Sequence, residues 1–100
     1  MSTAQPKSAG LELLAFYPHN KRSLVGYADF RLINNGIIVR KCAVLEDQDG
    51  QLRVKTPEHM VGDGDNKRWT PTVDFVDEAR RELFSRHAAH LVAMHIRSGQ

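Results

Sequence analysis

An α+β domain is what this sequence predicts: a twisted antiparallel β-sheet, built as a meander of four to five strands, followed by one C-terminal helix. Three observations carry that expectation. Apolar residues alternate with polar ones at period two through residues 22–33, the mark of a half-buried strand. Asn34-Asn35-Gly36 separates that run from a second apolar run, and Asn-Gly between two such runs favours a tight hairpin because both residues tolerate positive φ. Beyond Asp74 the spacing of apolar side chains becomes helical.

The elements follow in order. Residues 11–17 read as a first strand, with Leu11, Leu13, Ala15 and Tyr17 on one face and Leu14 and Phe16 on the other. Pro18-His19-Asn20-Lys21 supplies turn chemistry. In the second strand, residues 22–33, Leu24, Ala28, Phe30 and Leu32 share a face, and Tyr27, Asp29 and Arg31 share the other. Residues 37–45 are rich in β-branched side chains and form a third strand. Asp47-Gln48-Asp49-Gly50 makes the next turn, and residues 51–55 form a short fourth strand with Leu52 and Val54 inward.

Residues 56–71 hold Pro57, Gly62, Asp63, Gly64, Asp65 and Asn66 without clean periodicity. They read as a long loop, a kind of segment that is often functional. A fifth strand is expected at residues 68–73, held to a sheet edge by Pro71. The helix spans about residues 75–96, with Asp74 as N-cap and Asp77 and Glu78 in its first turn. At about 100° per residue, Val76, Ala79, Leu83, Leu91 and Met94 form the stripe that packs on the sheet, flanked by Phe84.

The chain of 100 residues is enough for one domain, here residues 11–97. At this length a deep, water-excluding cleft is hard to build, which favours a binding or regulatory module over an enzyme. Residues 1–10 are small and polar and are expected to be a disordered tail, with no apolar stretch typical of a secretion signal. Cys42 is the single cysteine, so no internal disulfide can form, and a reducing cytoplasm is the expected location. No run approaches the roughly 20 apolar residues of a membrane span. Charge is patchy. Residues 21–45 carry five basic groups against one acidic, residues 46–65 two against six, and residues 66–100 six against four.

Several constellations bear on chemistry. His87 and His90, with His95, lie on the helix, but no further ligands are in view, and structural histidines are favoured over a metal site. Asp63-Gly64-Asp65-Asn66 fails the calcium-loop pattern, since Arg68 and Asp74 stand where glycine and glutamate are needed. Cys42 lies mid-strand and is expected to be buried and inert. No nucleophile elbow or phosphate-binding glycine loop is present, and no cofactor is expected. Lys67-Arg68-Trp69 combines phosphate-seeking charge with a stacking surface. Arg53 and Lys55 alternate outward on the fourth strand and would join that patch if the loop folds back. On residue types alone, a Trp69 that anchors the loop on the core is favoured over one that binds a ligand.

The order of elements resembles that of the stage V sporulation protein G (SpoVG-like) family over residues 11–91. The matching segments are Leu11-Glu12-Leu13-Leu14-Ala15, Tyr27-Ala28-Asp29-Phe30, Ile37-Ile38-Val39-Arg40-Lys41-Cys42-Ala43-Val44-Leu45, Gly50-Gln51-Leu52-Arg53-Val54-Lys55-Thr56-Pro57, and Trp69-Thr70-Pro71-Thr72 before the helix. The sequence departs from the family after Pro57, where Glu58-His59 replace a small residue and basic ones, and in the acidic loop at Asp63 and Asp65. The resemblance implies a small cytoplasmic homodimer that binds DNA or RNA and regulates development, septation and gene expression. Dimerisation through a sheet edge would satisfy unpaired backbone groups. The nucleic-acid contacts expected on this basis are Arg53, Lys55, Lys67, Arg68, Trp69 and Arg81. The alternative is a protein–protein interaction module with no nucleic-acid role.

Overall fold

The computed structural model describes the backbone of Lys7–Ser8 and residues 10–98. Its elements are β1 (Lys7–Ser8), β2 (Leu11–Lys21), β3 (Leu24–Leu32), β4 (Ile37–Glu46), β5 (Leu52–Lys55), β6 (Glu58–Val61), β7 (Arg68–Pro71) and α1 (Glu78–Arg97), with one 3₁₀ turn at Gly64–Asn66. Strands β1 to β5 form one antiparallel sheet in sequence order, and β6 and β7 form a separate two-stranded sheet. The α+β class and the meander agree with the expectation. The tail expected at residues 1–10 lies mainly outside the described residues, but within it Lys7–Ser8 pairs with Leu11–Glu12.

Three strand readings are corrected. The turn after β2 falls at Arg22-Ser23, not at residues 18–21, because Lys21 pairs with Leu24. Arg22 takes the left-handed conformation, with φ 58°. Pro18 is tolerated inside β2 because among the described residues β1 pairs only with Leu11 and Glu12, and no described strand flanks Pro18 on that side. The face assignment within β2 also changes. Leu13 pairs with Phe30 and Ala15 with Asp29, so Leu14 is an extra residue, a bulge. A one-residue slip turns every later side chain over, which puts Phe16 on the helix side and Tyr17 on the outer side. Finally, β7 does not extend the main sheet. It pairs with β6, placing an ordered hairpin where a loop was expected.

That hairpin turns on Gly62, whose φ is +96°. A Cβ there would lie 2.2 Å from the Asn66 carbonyl oxygen, so only glycine fits. Its base is fastened by the Thr72 amide donating to the Pro57 carbonyl at 2.8 Å.

Helix α1 starts three residues later than expected. Asp77, not Asp74, is the N-cap: its Oδ1 accepts the Arg80 amide at 2.8 Å. Asp74 instead accepts the Phe75 amide at 2.8 Å. The packing stripe is correspondingly rotated. Phe84, Ala88, Leu91 and Val92 are buried, whereas Val76 precedes the helix and is 87% exposed, and Ala79, Leu83 and Met94 face outward. Of the expected stripe only Leu91 is in the core.

That core is one cluster: Leu11 and Leu13 from β2, Ala28 and Phe30 from β3, Val39, Cys42 and Val44 from β4, Val54 from β5, and the four helix residues. Phe84 meets Phe30 edge-on at 5.7 Å between ring centroids and Phe75 at 5.2 Å. The helix also closes the edge of β5, where the Val54 amide donates to Ser85 Oγ at 3.2 Å. Among the described residues no helix covers the opposite face of the sheet.

Candidate functional site

Cross-strand partners in an antiparallel sheet lie on the same face. The register Tyr17–Tyr27, Tyr27–Ala43 and Ala43–Lys55 therefore sets a row across four strands on the outer face. The chain then turns at Thr56-Pro57, and the β6–β7 hairpin rises beside this row. Between sheet and hairpin lies an open groove of about 920 Å³, within the size range of ligand clefts. Tyr17, Tyr27, Ala43 and Leu45 contribute from the sheet, Pro57, Glu58 and Trp69 from the hairpin side, and Arg40, Lys41 and Lys55 supply positive charge.

Asp29 also lines the groove and is only 4% exposed. Its Oδ1 accepts the Lys41 amide at 2.9 Å. Its Oδ2 accepts a long bond from the Tyr17 hydroxyl at 3.5 Å and is paired with the Arg40 guanidinium at 3.5 Å. The geometry rests on a bulge in β4. Phe30 pairs with Val39 but Ala28 pairs with Cys42, so the short stretch between holds one residue more than its partner. Lys41 absorbs it with φ 61°, and the carboxylate satisfies the amide that the bulge turns out of the ladder. Cys42 lies beneath, fully buried. Burial first, and the nearby Asp29 carboxylate second, push its thiol up to about 12, so it stays protonated at neutral pH.

Trp69 is 63% exposed. Its partner across the hairpin is Met60, and the next pair on that face is Glu58 with Pro71. The indole thus stands on a groove wall and does not anchor the hairpin in the core, the role that residue types alone favour. Arg68 pairs with Val61 and so projects from the opposite face of the hairpin, by the strand period of two. The adjacent Lys67, Arg68 and Trp69 do not form one surface.

The remaining expected contacts separate too. A second cleft, of about 780 Å³, lies between β5 and the start of α1. Arg53 and Arg81 line it together with Lys55 and Arg86, but Glu58, Asp74, Glu78 and Glu82 line it as well. Arg81 is held by Asp74 at 3.2 Å and by Glu78, and these bonds raise its pKa further. Lys55, which borders both clefts, sits 3.4 Å from Glu58. Arg53, Lys67 and Arg68 are exposed.

The groove residues missed in the sequence are Tyr17, Asp29, Arg40 and Lys41. A signal for Asp29 existed: a carboxylate in the middle of an apolar strand needs a partner. Tyr17 was hidden because its face depends on the Leu14 bulge. The histidines do not converge. His95 packs edge-on against Phe16 at 5.8 Å, and His59 Nδ1 lies 2.7 Å from Thr72 Oγ1. Among the described residues no three His, Cys, Asp or Glu side chains come together to hold a metal ion, and no helix is long and apolar enough to cross a membrane. No family model, no curated protein and no solved structure matches the chain.

Proposed function

We propose that this chain is a small nucleic-acid-binding regulatory protein of the SpoVG-like type, acting as a homodimer and without enzymatic activity. The observation that carries the reading is the exposed indole of Trp69 beside a groove with tyrosines and cations. An indole that contributes little to the core, set beside a groove that carries Arg40, Lys41 and Lys55, suits base stacking and phosphate contact. The resemblance in element order supports the same reading. Phosphate contacts fall to Arg40, Lys41 and Lys55 at the groove and to Arg53, Lys67 and Arg68 around it. Arg81 is the weakest of the expected contacts, since its charge is already engaged by two carboxylates. The two-fold contact falls on the open edge of β2, because β5 is closed in part by Ser85.

Oligonucleotide binding measured over a salt series tests this. A logarithmic loss of affinity with salt, with a slope set by the number of phosphates neutralised, is the expected result. Absence of binding at low salt defeats the proposal. The second reading, a protein-interaction module, draws on the outward Leu83 and Met94 of α1, both about half exposed. Partners that survive nuclease treatment and are lost in Leu83→Ser would favour it.

A further inference from the structure

The two clefts differ in charge balance and in exposed aromatic rings. The cleft beside α1 has four cations facing four carboxylates and no exposed aromatic ring. The outer groove has three exposed rings, Tyr17, Tyr27 and Trp69, and more cations than carboxylates. Its two carboxylates are each paired, Asp29 with Arg40 at 3.5 Å on the sheet side and Glu58 with Lys55 at 3.4 Å on the hairpin side. A phosphate on the sheet side would meet Asp29, which like charge disfavours. A neutral, flat base meets no such repulsion and has aromatic residues on both walls to stack on. The cations Arg40 and Lys41 sit on β4 and Lys55 on β5, which places them to meet phosphates on either side of an inserted base. Among the described residues Lys41 makes no ion pair, so its charge is available. Bases stacked in a duplex cannot present a face to such a groove, whereas an unpaired base can.

We propose that the outer groove takes an unpaired base of a single-stranded nucleic acid, stacked against Trp69 and the Tyr17–Tyr27 pair, with Arg40, Lys41 and Lys55 on the flanking phosphates. The inference rests on the nucleic-acid reading above and adds to it the strand state and the place of binding. Trp69 is the only tryptophan in the chain, so its emission reports on the groove alone.

The test is a titration of the full chain at low salt with a labelled deoxythymidine 12-mer, a uridine 12-mer and a DNA duplex of equal length. Anisotropy and tryptophan emission are followed together. Expected are tighter binding of a single strand than of the duplex and quenching of Trp69 emission on saturation. A loss of roughly tenfold or more in single-strand affinity is expected in Trp69→Ala, with much of it restored in Trp69→Phe. Lys41→Glu should weaken binding of single strands at low salt and flatten its salt dependence. Binding with unchanged Trp69 emission and unchanged affinity in Trp69→Ala overturns the groove assignment and leaves the broader function standing. Equal affinity for duplex and single strands overturns the strand preference. No binding of any of the three removes both proposals.

Discussion

Asp29 shows how one side chain can hold a backbone irregularity in place. It is buried in a strand, yet every contact it makes serves the β4 bulge or the groove: the Lys41 amide, the Tyr17 hydroxyl and Arg40. Removing the acceptor leaves the Lys41 amide without its partner, at a cost of about 1–3 kcal/mol. Asp29→Ala is therefore expected to lower the free energy of unfolding measured in urea by that amount, while Asp29→Asn, which keeps an oxygen at the same place, loses less. Cys42 next to it gives a pH signature. Its folded pKa is about 12 against an ordinary 9.0. The unfolded chain therefore releases the thiol proton first as pH rises. The thiol's contribution is complete below about pH 9 and is lost as pH climbs toward 12. Unfolding curves of Cys42→Ala should fall less steeply than wild type across that alkaline window.

At the scale of elements, capping and close approach decide boundaries that periodicity leaves open. The Arg80 amide, first, and then the Arg80 charge hold Asp77 below the usual carboxylate range. A depressed carboxylate stabilises above its unfolded pKa of about 3.9, and the effect is lost as pH falls through the lower folded value. The start of α1 is expected to fray in acid, seen as a loss of helical circular dichroism below about pH 4. Asp77→Asn keeps a capping oxygen and should make that signal flatter with pH. In the β2–β3 ribbon the constraint is steric. A Cβ on Gly26 would stand 2.5 Å from the Tyr17 carbonyl oxygen and 2.8 Å from the Phe16 ring. The oxygen belongs to the backbone and cannot swing aside. Gly26→Ala should destabilise the chain by about 1–3 kcal/mol in thermal or urea unfolding, and should disturb the Tyr17–Tyr27 row.

For the whole molecule, one layer of core between sheet and helix carries the stability, while the opposite sheet face borders the candidate groove. Phe84 joins the two layers, packed between Phe30 and Phe75. Phe84→Ala is expected to cost about 3–5 kcal/mol in chemical unfolding. At this chain length that is a large share of the total. Substitutions at exposed groove residues such as Trp69 are therefore expected to leave core packing, and with it the unfolding midpoint, largely unchanged. The separation of core and groove also explains why Arg81 and Trp69, both expected at one surface, stand at different clefts. Arg81 belongs to the helix layer and its carboxylates, and Trp69 to the hairpin on the outer side.

How much was legible follows from the range of each force. The α+β class, the four-strand meander and the terminal helix were set by local pattern: period two, Asn-Gly and Asp-Gly turns, and helical spacing. Those signals act over a few residues and are written along the chain. The candidate site was legible only in part. The chemistry of Trp69 and Lys55 is readable from the chain, but the faces of Tyr17, Arg40 and Lys41 depend on bulges at Leu14 and Lys41, and Asp29, though it falls on the Tyr27 face by alternation, has its partners on other strands. A bulge is defined by the strand opposite, and no single strand records it. The same holds for charge. Lysines and arginines can be counted in the sequence, but whether a carboxylate sits beside them is a matter of folding, as Arg81 and Lys41 show in opposite senses. Local propensity thus determined the class, the meander and the presence of the helix, while the tertiary arrangement decided the β6–β7 hairpin and the groove, since register and Coulomb pairing act between residues distant along the chain.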